Sequence, residues 1–181
     1  LNASLLIKDK KESNRYQFAA TVNQENYGIK FALKPDSLLL DYDKWQVSND
    51  NFIRYDSTGI MANNFLISNK DQSLRINSTS ASMQAPLEVA FKNFGIHTLT
   101  SFAEQDSLLM DGVIDGNVIV KNATTNPLFT SDLQIKDFSY KKDTVGNISV
   151  KVDNETANAF NANVKIKGNG NDIQLDGKYY T

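Results

Sequence analysis

The sequence predicts an all-β protein built from antiparallel strands, with a meander as the simplest topology. Two observations predict it. Apolar and polar residues alternate along many short segments, which is the pattern of a strand with one buried and one solvated face. The spacers between these segments are short and rich in Asn, Asp, Ser and Gly, whereas parallel strands need crossovers of about a dozen residues. We therefore expect a sheet with one apolar face, and what that face contacts decides the function.

The strand pattern recurs along the whole chain. In the first half the segments are short and bounded by turn residues; in the last third they are longer and alternate more clearly, as in Ile148, Val150 and Val152 against Ser149 and Lys151. The predicted strands are 4–8, 16–22, 27–33, 37–41, 45–47, 52–55, 59–61, 65–68, 73–77, 87–91, 109–121, 129–136, 147–153, 159–167 and 172–180.

One segment has helical spacing instead. Over 96–105 the apolar residues Ile96, Leu99, Phe102 and Ala103 recur at steps of three and four, which predicts a short helix. No Pro- or Ser-rich linker accompanies it, so we expect 1–181 to form a single unit, with 1–95 and 106–181 as sub-layers within it.

Composition narrows the function classes. The 181 residues are 40% hydrophobic and 22% charged with a formal net charge of −2, which is typical of a globular chain. Charges of both signs are dispersed, so no basic stripe indicates nucleic-acid binding. The sequence starts at Leu1 and contains no apolar run long enough for a transmembrane helix, and we expect it to be an internal segment of a longer protein.

Residues for catalysis are scarce. His97 is the only histidine and there is no cysteine, so multi-histidine metal sites, thiolate sites and thiol nucleophiles are excluded. The acidic residues fall singly in turns or on polar strand faces, where solvation explains them. We interpret His97 as structural and expect a non-enzymatic protein with no catalytic residues, no metal and no cofactor.

The stretch from Gly168 to Gly177 resembles the calcium-binding nonapeptide of RTX repeats. Calcium in that architecture is shared between successive repeats, and neither flank carries a second copy. A single copy is weak evidence for calcium, and a Gly/Asn turn between the last two predicted strands explains the stretch adequately, because these residues adopt positive φ readily.

A family resemblance is carried by residues in the second half. The run LMDGVIDGNVIVKN at 109–122 precedes PLFTSDLQI at 127–135, and resembles the recurring L-x-G-x-x-x-G-x-x-x-V unit of the AsmA-like superfamily. The stretches 164–168 and 171–180 resemble repeats of the TamB (translocation and assembly module) family in its Bacteroidota-like versions. The resemblance covers about residues 60–181.

This resemblance implies an elongated, curved β-groove, or β-taco, in a long protein of the periplasm of a Gram-negative bacterium, anchored in the inner membrane. It implies that the apolar lining carries phospholipid acyl chains between the membranes, that a TamA-like outer-membrane barrel is a partner, and that the protein acts in outer-membrane biogenesis. The strand pattern supplies the candidate lining: Ile114, Val118, Val120, Leu133, Ile135, Ile148, Val150, Val152, Val164, Ile166, Ile173 and Leu175.

On the opposite face we expect a row of lysines that keeps the outer surface soluble and discourages edge pairing: Lys121, Lys136, Lys151, Lys165 and Lys167. Unpaired backbone at either end of an isolated segment favours an edge-to-edge dimer, which would stand in for neighbouring strands of the longer chain.

Two alternatives stay open. Periodicity alone favours a closed β-sandwich, in which the same apolar residues fill a core, as in an adhesin or a carbohydrate-binding module. A carbohydrate-binding face would show clustered exposed aromatic residues, whereas Trp45 is the only tryptophan. A scaffold that only positions an outer-membrane partner is the other alternative, and the sequence does not separate it from lipid conduction.

Overall fold

A computed structural model describes residues 1–25, 27–100, 109–156 and 158–180. Within them the chain forms a 15-stranded antiparallel sheet and one short helix. Each predicted strand overlaps one strand of the structure, so the all-β prediction is confirmed. The elements are β1 (Asn2–Lys8), β2 (Asn14–Glu25), β3 (Gly28–Leu33), β4 (Leu38–Leu40), β5 (Asp43–Val47), β6 (Phe52–Asp56), β7 (Gly59–Asn63), β8 (Phe65–Asn69), β9 (Gln72–Ser78), β10 (Leu87–Gly95), α1 (His97–Thr100), β11 (Met110–Lys121), β12 (Leu128–Tyr140), β13 (Asp143–Thr156), β14 (Ala159–Gly168) and β15 (Asn171–Tyr180).

From β8 to β15 the strands pair strictly in sequence order, which is the predicted meander. The order departs from sequence in the first third, where β2 pairs with β3 and β4, β3 with β6, and β5 with β8. The reason is that β2 is long enough to pair with two strands along one edge. β3 pairs with its Ala20–Glu25 half, and β4 pairs with it at Gln17. The β6–β7 hairpin then returns beside β9, where the Ala62 N–H donates to Ser78 Oγ at 3.0 Å.

The sheet is curved around an apolar core at this end. Trp45 on β5 and Phe94 on β10 are separated in the sheet by β8 and β9. In a flat sheet the backbones of β5 and β10 would lie about 14 Å apart. The ring centroids of Trp45 and Phe94 lie 5.5 Å apart, so the sheet bends towards its apolar face. The buried core cluster consists of Leu38, Trp45, Val47, Ile67, Phe94 and Ile114.

A bulge in β10 makes this core possible. Phe91 pairs with Gly116 and Phe94 pairs with Ile114, so β10 has one residue more than β11 over this interval. Residues three apart on a regular strand point to opposite faces, but the bulge turns both phenylalanines to the same one. Their ring centroids lie 5.8 Å apart in an edge-on arrangement.

The helix α1 covers the first part of the predicted helical segment 96–105, and residues 101–105 lie outside the described residues. His97 opens α1 with its Nδ1 3.6 Å from Asp111 Oδ1. The ladder between β10 and β11 runs from Leu87 opposite Val120 to Gly95 opposite Val113, so one sheet continues across this segment.

Candidate functional site

The strand registers bring the predicted lining residues together on one face. In an antiparallel sheet, directly paired residues on neighbouring strands share a face. Five isoleucines pair in succession across β11 to β15 and form an uninterrupted line perpendicular to the strands, here called the isoleucine row: Ile114, Ile135, Ile148, Ile166 and Ile173.

A second row runs parallel to the first, two residues along each strand. It pairs Gly116 with Leu133, Val150, Val164 and Leu175 in succession. A third row follows with Val118, Ser131, Val152, Ala162 and Gly177. Val120 pairs with Phe129 one step further on. All predicted lining residues therefore lie on one side of the sheet, which we call the apolar face.

Exposure rises along the apolar face from β10 to β15. Phe94, which extends the isoleucine row onto β10, is 0% exposed and Ile114 is 9% exposed. The residues of the row on β12, β13 and β14 are half-buried. At the edge strand, Ile173 is 44% and Leu175 is 60% exposed. The face is thus covered at one end by the core and open to solvent at the other.

The opposite face is polar, and the predicted outward lysines lie on it. Lys136 Nζ lies 3.1 Å from Asp115 Oδ2, and Lys151 Nζ lies 3.0 Å from Asp132 Oδ2. The remaining outward lysines, Lys121, Lys165 and Lys167, are exposed. Residues of opposite charge lie directly across neighbouring strands on this face, Asp132 opposite Lys151 and Lys167 opposite Asp172.

Asp115 has a further role on the polar face. Its Oδ1 accepts a hydrogen bond from the Asn93 N–H at 2.7 Å, and Lys136 donates to its other oxygen. The Asn93 hydrogen bond, followed by that of Lys136, holds the pKa of Asp115 below its ordinary value. Asn93 lies in the β10 bulge with φ +45°, so this carboxylate fastens the bulge that directs Phe94 into the core.

The stretch from Gly168 to Gly177 forms the β14–β15 hairpin, with Gly168 paired to Asn171 around Asn169 and Gly170. Gly168, Asn169 and Gly170 have φ of +110°, +50° and +84°. The Asn171 side-chain amide donates to the Val145 carbonyl at 2.8 Å, fastening the turn to the start of β13. Positive φ at consecutive positions accounts for the Gly/Asn composition of this turn.

Among the residues that the structure describes, no group of three or more acidic or histidine side chains is placed to hold a metal ion. Within the same ranges, no helix is long and apolar enough to cross a bilayer.

Sequence reasoning missed two features: the aromatic residues packed at the covered end of the apolar face, and a surface pocket beside β3 and β6. Phe94 was outside the predicted strand 87–91, because the bulge breaks the alternation there. The pocket, of about 800 Å³, is lined by Tyr27, Ile29 and Tyr55 among others, and these three side chains are exposed. Their short strands gave no signal that they would meet. Trp45, by contrast, is only 4% exposed and belongs to the core.

Comparison with known proteins returned no matching family model, curated protein or solved structure.

Proposed function

We propose that the apolar face binds phospholipid acyl chains, and that the protein is a non-enzymatic lipid-conduit segment. The observation that carries this proposal is the continuity of the face: rows of apolar side chains cross β11 to β15 in register and become solvent-exposed towards β15. A sandwich core would be covered along its whole length. An exposed apolar band of this extent on a globular protein is typical of a binding surface.

The physical basis is the transfer of hydrocarbon out of water. Each methylene that moves from water onto an apolar surface contributes about 0.8 kcal/mol. Adjacent rows lie about 7 Å apart along the strands, since each is two residues from the next, so a hydrocarbon chain fits lengthwise between them. The polar head group would stay in water at the rim while the chain lies across the strands.

Cellular context follows from the family resemblance. The proposed location is the periplasm of a Gram-negative bacterium, in a longer protein anchored in the inner membrane. A TamA-like outer-membrane barrel is the proposed partner, and outer-membrane biogenesis the proposed process. The net charge of −2 and the ion pairs on the polar face fit a protein surrounded by water on its outer side.

Site-specific photo-crosslinking in cells tests the proposal. A benzophenone amino acid is placed at Ile166 or, as a control, at Lys165 of the intact parent protein, because the two side chains occupy opposite faces of β14. Phospholipid captured at Ile166 and not at Lys165 is the expected result. Capture at neither position would contradict lipid binding and would favour the closed sandwich or the scaffold instead.

One observation favours a second candidate function. Tyr27 and Tyr55 are exposed and line the same pocket with Ile29, which is the aromatic clustering expected of a carbohydrate-binding site. Binding to a panel of cell-envelope polysaccharides, compared between the unaltered protein and Tyr55→Ala, separates this function from lipid binding. Loss of polysaccharide binding in the variant would support it.

A further inference from the structure

The apolar face narrows where it meets the core. On β11 to β15 all three rows are present, but towards β8 the isoleucine row and the second row become part of the core. We propose that the third row continues past the core over β10, β9 and β8 as a passage one acyl chain wide. This inference rests on the proposed function and refines it, because it gives the path that an acyl chain takes beyond β11.

The strand registers carry the third row onto three further strands. Val118 on β11 pairs with Val89 on β10. Val89 pairs with Ile76 on β9, and Ile76 pairs with Phe65 on β8. Directly paired residues share a face of an antiparallel sheet, so these side chains extend the row on the same face. The complete row contains no charged residue and consists of Gly177, Ala162, Val152, Ser131, Val118, Val89, Ile76 and Phe65.

The three rows differ in burial beside the core. The isoleucine row reaches β10 at Phe94, which is fully buried, and the second row reaches β8 at Ile67, which is 8% exposed. Val89, Ile76 and Phe65 of the third row are half-buried. In the part of the chain that the structure describes, no residue of the third row belongs to the core cluster or packs against it. The third row therefore stays accessible where the other two rows are covered.

The passage has a wall on each side. On one side lie Phe91 and Leu74 of the second row, which pack against the core. On the other side, Leu87 on β10 pairs with Ser78 on β9, which is buried and accepts a hydrogen bond from the Ala62 N–H at 3.0 Å. Each wall lies one row, or about 7 Å along the strands, from the third row. This spacing leaves room for one hydrocarbon chain rather than two.

The side chains in the passage favour hydrocarbon over other ligands. Val89, Ile76 and Phe65 carry no polar group, so a sugar bound there would lose its hydrogen bonds to water without replacement. An extended peptide would leave backbone N–H and C=O groups unpaired over the same side chains. An acyl chain has no such groups, and each methylene that leaves water contributes about 0.8 kcal/mol.

The far end of the passage lies beside exposed apolar surface. Phe65 contacts Phe31 on β3, with ring centroids 6.4 Å apart. Ile29, two residues along β3 on the same face as Phe31, lines the 800 Å³ pocket with Tyr55, and both are exposed. From β15 to β8 the third row spans about 34 Å, whereas one lipid tail reaches about 15 Å, half the thickness of a bilayer core. A chain on this row thus has room to move by its own length, as a conduit requires.

Photolabelling of the unaltered protein tests the passage. The probe is a long-chain fatty acid with a diazirine on its terminal carbon, and labelled residues are mapped by mass spectrometry. We expect label on Val89 and Ile76, and none on their chain neighbours Ala90 and Arg75, which lie on the opposite face. Label confined to the lining residues of β11 to β15 would overturn the passage and leave lipid binding intact. Absence of label from the whole apolar face would overturn both.

A blocking variant tests the path. Val89→Phe enlarges the side chain in the passage on β10, and Ala90→Phe is its control on the opposite face of the same strand. In Val89→Phe, label at Ile76 beyond the block should fall about tenfold, the effect of keeping two methylenes out of the passage. Label at Val152, before the block, should stay within about twofold, which also shows that the variant is folded and binds the probe.

Ala90→Phe should leave label at both positions within about twofold. Undiminished label at Ile76 in Val89→Phe would show that the chain reaches β9 by another route. That result would overturn the passage, whereas label retained at Val152 would still support lipid binding by the apolar face.

Discussion

At the residue scale, two glycines of the 109–122 run are required by the backbone conformation of β11. Gly112 and Gly116 on β11 have φ of +140° and +121°, values that residues with a side chain rarely adopt. A Cβ at Gly116 would lie 2.1 Å from the Asp132 carbonyl oxygen on the neighbouring strand. Gly116 also occupies the second row of the apolar face, between Phe91 and Leu133. The spacing of these glycines thus follows from close strand approach and from bulges in the neighbouring strands, in β10 opposite Gly116 and in β12 opposite Gly112.

Gly116→Ala should destabilise the fold strongly, because it combines an unfavourable φ with a collision against backbone. We expect a loss of about 3 kcal/mol or more in the free energy of unfolding, measured by denaturant titration. Gly177→Ala is the matched control: its Cβ meets nothing within 4 Å, and the expected change is within about 0.5 kcal/mol. Similar stabilities for the two variants would contradict this account of Gly116.

Asp115→Asn should weaken the β10 bulge in a pH-dependent way. The lowered pKa of Asp115 in the folded state means that its carboxylate stabilises the fold above the unfolded pKa of about 3.9, and that this contribution is lost as the pH falls through the folded pKa. At pH 7 we expect a loss of about 1 kcal/mol, measured by denaturant unfolding. The difference from the unaltered protein should shrink in acid.

Asp132→Asn controls for the loss of a surface charge. Asp132 also pairs with a lysine on the polar face, but it is exposed and fastens no bulge, so we expect a change below about 0.5 kcal/mol. A pH-independent loss in Asp115→Asn, or an equal loss in Asp132→Asn, would contradict the proposed role of Asp115.

At the element scale, the strands could be predicted and part of their order could not. Alternation is a local property, so β13 and β15 are visible in the sequence, and the short connections between successive strands fix the pairing from β11 to β15. The pairing of β3 with β6, and of β5 with β8, depends on which short strands share the long edge of β2, and no local pattern encodes that choice.

The candidate site, too, could be predicted from the sequence only in part. The rows of the apolar face could be predicted from alternation because each strand contributes residues in phase. The contact between Trp45 and Phe94 could not be predicted, because Phe94 reaches the apolar face only through a bulge, and Trp45 meets it only through curvature of the sheet. Both are consequences of tertiary packing, which sequence periodicity does not report.

The two faces of β14 should respond differently to polar substitution. Ile166→Asn places an amide in the middle of the isoleucine row, where a bound acyl chain would leave it without a hydrogen-bond partner. We expect about tenfold weaker binding of a fluorescent fatty acid, whereas Lys165→Asn on the polar face should change affinity by less than about twofold. Circular dichroism verifies that both variants are folded. Equal affinities would argue against the apolar face as the binding surface.

At the scale of the whole molecule, the sheet is asymmetric. One end is folded over a core containing Trp45 and Phe94, and the other ends in β15, whose outer edge pairs with no strand in the described residues. This edge strand carries exposed apolar side chains, Ile173, Leu175 and Tyr179 among them. Exposed apolar edges favour pairing with another strand, because the free backbone groups gain hydrogen bonds as the side chains are buried.

The isolated segment should therefore dimerise through β15. An antiparallel pair with its two-fold axis at Leu175 would place Asp172 opposite Lys178 of the second copy, twice over, and Leu175 opposite its own copy. Since the chain lacks cysteine, Leu175→Cys should form an intermolecular disulfide on mild oxidation.

The control for this register is Gln174→Cys. Its copies would lie about 8 Å apart, beyond the reach of a disulfide, so it should stay uncrosslinked under the same oxidation. Light scattering over a range of concentrations measures the association itself. A strict monomer at high concentration would contradict edge pairing altogether. A dimer in which both cysteine variants crosslink equally would contradict only the register, because β15 would then pair without the Asp172–Lys178 contacts that place the two-fold axis at Leu175.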